Sequence, residues 1–173
     1  MKKIVRHNPH YEKMEDEPFE IPENWCWTKF GDCINVINGK NQSAVIDPEG
    51  HFPIYGSGGI MGRANSYLCP ENCTIIGRKG SINNPIFVSE KFWNVDTAFG
   101  LCPSGIVLPK YLYFFCLWFD FSTLDNSTTL PSLTKTSIQQ IPFVLAPLKE
   151  QSRIVTKIEE LFSTLNQMER NLV

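Results

Sequence analysis

The 173-residue sequence contains no apolar run near the ~20 residues that a membrane-spanning helix needs, which excludes a helical membrane protein. Its N-terminus, Met1-Lys2-Lys3-Ile4-Val5-Arg6-His7-Asn8, turns polar at once and has no apolar signal region. A cytoplasmic protein is therefore expected. Charge of one sign is also lacking. Sixteen basic residues stand against 18 acidic ones, for a net charge of −2, which excludes a histone-like polycation. Any anion must be held by local placement. Histidine is scarce, with three in all. His51 has no nearby Ser or Cys nucleophile with an orienting acid, and Asp96 with Thr97 and the scattered glutamates give no paired-carboxylate site. Nothing in this set argues for a hydrolase. Cys69 and Cys73 form a C-x-x-x-C and His7 with His10 an H-x-x-H, but the paired knuckles of a structural zinc site are absent, and no metal is expected. The six cysteines, Cys26, Cys33, Cys69, Cys73, Cys102 and Cys116, are expected as buried thiols.

What is present is material for a core. A hydrophobic content of 42% with 12% aromatics excludes a disordered chain, and the length suits one domain. Residues 1–20 are polar and charged and read as an arm or linker. Trp27, Phe30, Ile34 and Ile37 recur at helical spacing and predict a short helix or turn, ended by Asn38-Gly39. Residues 45–100 have the texture of strand and turn. Asp47-Pro48-Glu49-Gly50 is a turn signature. Strands are predicted at 51–55, 73–76, 85–88, 92–95 and 98–102. Pro109 opens a helix through Phe119 that is apolar on most faces and should be buried. Asn126-Ser127-Thr128-Thr129 is a polar loop. Leu133 to Gln140 is a short amphipathic stretch, and Ile141-Pro142-Phe143-Val144 is an edge strand. After Pro147, Ile154, Ile158, Leu161, Leu165, Met168 and Leu172 follow in steps of 4, 3, 4, 3 and 4, the alternation of a heptad seam. A helix over 148–173 would be ~39 Å long, with a narrow stripe better suited to another helix than to its own domain.

Three motifs are candidates for chemistry. Tyr55-Gly56-Ser57-Gly58-Gly59-Ile60-Met61-Gly62-Arg63 is a glycine-rich loop through which a backbone could approach a phosphate. No helix-opening sequence follows it, so it is no dinucleotide fingerprint; a plain hairpin loop and a nucleic-acid contact both remain. Ile76-Gly77-Arg78-Lys79-Gly80-Ser81 places adjacent cations between glycines at a strand end, which suits either a phosphate-facing turn or a solvated one. Its spacing is not that of a Walker loop. Asn84-Pro85-Ile86-Phe87 lacks the second proline of the base-holding signature of amino-methyltransferases and reads as coincidence.

Taken in order, these pieces resemble the specificity (S) subunit of type I restriction–modification systems, from Phe19 onward. Ile21-Pro22-Glu23-Asn24-Trp25-Cys26-Trp27 is similar to the family's entry motif, and Ile37-Asn38-Gly39-Lys40 to the element after it. The runs at 53–62 and 76–81 are similar to its two central motifs, and Trp93-Asn94-Val95-Asp96-Thr97-Ala98-Phe99 to a third. Leu130-Pro131-Ser132-Leu133, Ile141-Pro142 and Pro147-Leu148-Lys149-Glu150-Gln151-Ser152-Arg153-Ile154-Val155 close the set. The last, leading into the heptad helix, is the most specific.

The resemblance implies an α+β fold: a mixed, twisted, β-rich target recognition domain over 21–146, with short helices, followed by a coiled-coil-type helix over 147–173. It implies a non-catalytic subunit that reads half of a split target in double-stranded DNA and docks methyltransferase (M) and restriction (R) subunits. S-adenosylmethionine would be bound by the methyltransferase partner, not by this chain. By the same resemblance Lys40, Asn41, Tyr55, Ser57, Gly58, Arg63, Arg78, Lys79 and Ser81 would lie near DNA. Ile154, Ile158, Leu161, Leu165, Met168 and Leu172 would form the seam to a partner. The family carries two recognition domains in tandem and this chain one, which implies a half-subunit or fragment that restores two half-sites by pairing as a homodimer or with a second S half. The rival reading is an assembly or decoy module that pairs through its helix without reading DNA. A small standalone methyltransferase is the third.

Overall fold

The computed structural model describes residues 18–124 and 132–171. Most of the N-terminal arm with His7 and His10, the 126–129 loop, Leu130, Pro131 and Leu172 lie outside them. Element order is β1 (Cys26–Lys29), α1 (Phe30–Cys33), β2 (Ile34–Asn38), β3 (Phe52–Gly56), β4 (Gly59–Ala64), β5 (Cys73–Gly77), β6 (Ile86–Val88), β7 (Trp93–Asn94), β8 (Ala98–Pro103), α2 (Pro109–Trp118), α3 (Lys135–Gln139), β9 (Pro142–Leu145) and α4 (Leu148–Asn171). A 3-10 turn over Phe121–Leu124 follows α2. The fold is mixed α+β with a long C-terminal helix, as expected.

The central sheet runs β2-β8-β5-β6, antiparallel throughout. Alternation sorts its side chains. Ile34, Val36, Ile76, Phe99 and Leu101 face a core shared with Phe30, Leu112, Ile138 and Phe143, while Cys73, Ile75, Ala98 and Cys102 face Cys69 and Phe92 on the other side. With both faces covered, every residue of β5 is buried. A second sheet, β4-β3-β7, is antiparallel at β3–β4 and parallel at β3–β7. It closes its own cluster of Ile54, Ala64, Trp93 and Val95. The edge strand β9 pairs with β1 alone.

Local chemistry explains the helices. Pro109 begins α2, where its missing N–H would have had no helical partner. Thr134 and Ser137 form a reciprocal capping box that starts the five-residue α3.

Four expectations are corrected. The helical spacing of Trp27, Phe30, Ile34 and Ile37 yields only the one-turn α1, because Trp27 joins β1 and the two isoleucines join β2, where ladder pairing prevails. The helix α2 is not buried all round: Leu112 and Cys116 are, but Trp118 is 67% exposed. Trp118 instead rims a hollow of about 320 Å³ lined by Trp27, Tyr111, Phe115 and Phe119. Not all cysteines are thiols: Cys73 and Cys102 form a disulfide, because the β5–β8 register sets them opposite each other with Cα atoms 4.6 Å apart. The helix α4 does not leave its whole stripe to another helix. Ile154, Val155 and Ile158 are half-buried, and Phe162 stacks on Phe114 of α2 with ring centroids 6.2 Å apart. No helix among the described residues is long and apolar enough to cross a membrane.

Candidate nucleic-acid interface

The glycine-rich motif is a hairpin. Gly56 and Gly59 are the last paired residues of β3 and β4, with Ser57 and Gly58 at the tip. Gly59 has φ +122°, a conformation that a side chain would strain. The hairpin tip leans on the second motif: a Cβ placed on Gly77 would lie 3.1 Å from the Ser57 Cβ and would overlap the Ser81 carbonyl. The two loops thus touch only because residue 77 has no side chain.

A third turn joins them. Val95, Asp96, Thr97 and Ala98 form a tight turn between β7 and β8, closed by the Ala98 N–H donating to the Val95 carbonyl at 3.0 Å. From this turn the Val95 N–H donates to the Tyr55 carbonyl at 2.9 Å, and the Thr97 carbonyl accepts from the Arg78 N–H at 2.7 Å. The segment after β2 is fixed to the same place. The N–H of Gly39 donates to the Ala98 carbonyl at 3.1 Å and that of Lys40 to the Asn94 carbonyl at 3.0 Å, while Trp93 Nε1 donates to the Lys40 carbonyl at 2.9 Å. Finally Lys79 bridges Ser132, and the Leu133 N–H donates to the Arg78 carbonyl at 2.9 Å. Loops distant in sequence therefore form one surface.

Behind them sits Asn94, fully buried. Its Nδ2 donates to the Ala98 carbonyl at 3.2 Å and to that of Ile37 at 3.5 Å, and its Oδ1 accepts from the Cys69 thiol at 3.3 Å. Burial pushes the Cys69 thiol up to about 12, so it stays a protonated donor.

The residues singled out in the sequence fare differently. Lys40, Asn41, Ser57, Gly58, Arg78, Lys79 and Ser81 all belong to this loop surface. Asn41 Oδ1 accepts from the Ser43 N–H at 2.8 Å, which holds its loop in shape. Lys79 is exposed, whereas Arg78 is half-buried with its guanidinium carbon 5.8 Å from the Phe99 ring centroid. The other two fall elsewhere. The Tyr55 ring turns inward against Phe92, centroids 5.7 Å apart, and burial raises its hydroxyl pKa. Arg63 lies at the opposite end of β4, where its guanidinium donates to the carbonyls of Gly50 at 2.5 Å and His51 at 2.8 Å and secures that turn. Sequence reasoning missed Asp96, Thr97 and the positioning role of Asn94; their one signal was membership of the run at 93–99. Within the loops at 39–44, 56–60, 77–81 and 95–97, Lys40, Arg78 and Lys79 outnumber Asp96, so this surface is basic on a chain of net charge −2. Among the described residues no group of three His, Cys, Asp or Glu could hold a metal.

The second half of α4 is largely free of the body. From Leu161 onward every described residue is exposed, including Leu161, Phe162, Leu165 and Met168. Of the predicted seam, Ile154 and Ile158 are half-buried against the domain and Leu161, Leu165 and Met168 are free.

Comparison with known proteins bears on the family and the fold. The family description "Type I restriction modification DNA specificity domain" matches residues 22–173. The chain is 26% identical over 164 residues to the type I restriction enzyme MjaVIII specificity subunit of Methanocaldococcus jannaschii, covering 85% of this chain and 39% of that protein. It is 24% identical to the EcoAI specificity subunit of Escherichia coli, covering 89% and 31%. Among solved structures, the HsdS subunit from Thermoanaerobacter tengcongensis superposes with a TM-score of 0.75 at 15% identity, covering 92% of this chain and 42% of that one. A chain from a structure of type I R-M complex assembly and conformational transition gives 0.76 at 18% identity, covering 89% and 42%. This chain thus spans well under half the length of the relatives it matches.

Proposed function

The chain belongs to the type I restriction–modification DNA specificity family, and from that membership we propose that it is a non-catalytic reader of one half of a split target in duplex DNA. The carrying observation is the union of the loops at 39–41, 56–59, 78–81 and 95–97 into one basic surface by backbone hydrogen bonds and by the packing of the hairpin tip on Gly77. Exposed cations there suit phosphate contacts, which set register, and the glycine backbone and Asn, Ser, Thr and Asp side chains suit base edges, which specify. None of these loops belongs to α4, so reading and assembly use different residues of the chain. The free seam of Leu161, Leu165 and Met168 serves a second copy or another S half, which restores the second half-site. Methyltransferase and restriction subunits supply the chemistry, and S-adenosylmethionine resides in the former.

The test is a mobility shift with the chain assembled with methyltransferase. Arg78→Ala with Lys79→Ala is expected to weaken binding and flatten its salt dependence. An unchanged isotherm discards the assignment of this surface, and absence of DNA binding by the unsubstituted assembly favours the assembly-module reading instead.

A further inference from the structure

Gln151 is fully buried at the root of a helix whose far half is solvent-exposed. Its Oε1 accepts from the Leu108 N–H at 2.8 Å, and its Nε2 donates to the carbonyls of Ile106 at 2.9 Å and Ala146 at 2.8 Å. Those partners belong to different segments: the loop leading into α2 and the joint between β9 and α4. Both amide protons and the amide oxygen are used. A flipped amide would set its oxygen against two carbonyls, so only one orientation fits. A carboxylate could not donate, and an apolar side chain of equal size would leave a buried N–H and two carbonyls facing it. The socket is specific for a primary amide.

Three hydrogen bonds to two separate segments hold the first turn of α4 against the body. Of the other ties between α4 and the body, Ile154, Val155 and Ile158 are half-buried apolar contacts, which lack the direction of a hydrogen bond, and the rest are exposed. Lys110 Nζ lies 3.7 Å from Glu159 Oε1 with both side chains in water, a pairing that contributes little. Phe162, stacked on Phe114, is half exposed. Leverage makes the root decisive. From Gln151 to Asn171 the helix runs ~30 Å, so a tilt of roughly 10° moves its tip by ~5 Å, more than the ~3.4 Å rise of one base pair.

We propose that Gln151 is the positioning residue that fixes the direction in which α4 leaves the recognition domain, and thereby the spacing between the two half-sites that a pair of such domains accepts. The second part rests on the split-target reading above; the first does not. Two measurements separate them. In the full chain, nitroxides carried by keto amino acids at Glu49 and Asn166 report the domain-to-helix distance by pulsed electron resonance. A narrow distribution is expected, widening at least twofold in Gln151→Met while thermal unfolding stays cooperative. Gln151→Glu keeps the Leu108 bond, loses both donations and widens likewise, which provides a second variant if the first fails to fold. An unchanged width in either folded variant overturns the proposal. In the assembly with methyltransferase, binding to duplexes whose spacer varies by single base pairs is then compared. The unsubstituted chain is expected to favour one spacer by about tenfold, as strongly as a mismatched base pair is rejected, and Gln151→Met by about twofold. Unaltered spacer selectivity beside a widened distribution overturns the link to spacing. An unsubstituted assembly with no spacer preference defeats the split-target reading, and the distance measurement still decides the role of Gln151.

Discussion

The backbone N–H of Arg78 donates to the carbonyl oxygen of Thr97 at 2.7 Å, tying the loop after β5 to the turn between β7 and β8. This bond uses no side chain, so it survives any substitution at 78 except proline. The side chains of Arg78 and Lys79 can therefore be removed without dismantling the surface on which they stand.

They should not behave alike. Lys79 is exposed and has no ion pair among the described residues, so Lys79→Ala should leave stability within about 0.5 kcal/mol and reduce the salt slope of DNA binding by ~0.9, the loss of one phosphate contact. The Arg78 stem and guanidinium pack on Phe99, and its Nε is buried without a hydrogen-bond partner among the described residues. Arg78→Ala should thus cost about 1 kcal/mol of folding free energy in addition to affinity. Urea unfolding beside binding at several salt concentrations checks both, and equal stability losses for the two variants would contradict the assignment.

Gly77 and Gly58 give a matched pair in the two touching loops. A Cβ at 77 would overlap the Ser81 backbone, which cannot rotate away, whereas a Cβ at 58 meets nothing within 4 Å. Gly77→Ala is expected to destabilise by about 2 kcal/mol through forced backbone shifts. Gly58→Ala should be neutral or stabilising by about 0.5 kcal/mol, since it only restricts the unfolded chain. If the hairpin tip meets DNA, Gly58→Ala lowers affinity all the same. Denaturation midpoints and mobility shifts separate the two effects.

The buried amide of Asn94 predicts an order among substitutions. Asn94→Ala loses the donations to Ala98 and Ile37 and should cost about 2 kcal/mol. Asn94→Asp should cost more, because a buried carboxylate facing two carbonyls is repelled as well as desolvated. The reverse order in urea denaturation would show that the amide does not hold these strands.

How much of this was legible beforehand depended on the range of the interaction. Strand β5, a run of branched residues closed by Gly77, and α4, with its unbroken periodicity, are local patterns and were read correctly. Trp27 to Ile37 was misread because a helical spacing four residues deep is weaker than the ladders of β1 with β9 and β2 with β8, whose partners lie far along the chain. The Cys73–Cys102 pairing is likewise a matter of register and separates residues 29 apart. At the candidate site, the motifs announced Arg78 and Lys79 but not their gathering with Lys40, which rests on backbone bonds that any sequence could make, or with Ser57, which rests on a close approach at Gly77. Arg63 was misplaced for the same reason: nothing local says which end of a hairpin meets the other loops. Gln151 was visible as a motif member, though only its three partners reveal its task.

Alkaline pH should expose a different part of the scaffold. The Tyr111 hydroxyl donates to the Val144 carbonyl at 2.9 Å, pinning α2 to β9, and burial raises its pKa from the ordinary value of 10.0 to about 12. A raised folded-state pKa means that the protonated form is the one the fold favours. Its contribution is therefore whole below pH 10 and is lost as pH climbs through 12. Buried thiols at Cys33, Cys69 and Cys116 are shifted the same way and add to the loss from about pH 9 upward. Tyr111→Phe should lower stability at neutral pH by about 1 kcal/mol, the net value of the hydrogen bond, and flatten the decline above pH 10 while leaving the thiol-linked part beneath it. Urea midpoints of both proteins from neutral to strongly alkaline pH decide it. Curves that converge above pH 10 fit the pinned phenol, and curves that stay parallel would place the alkaline loss elsewhere.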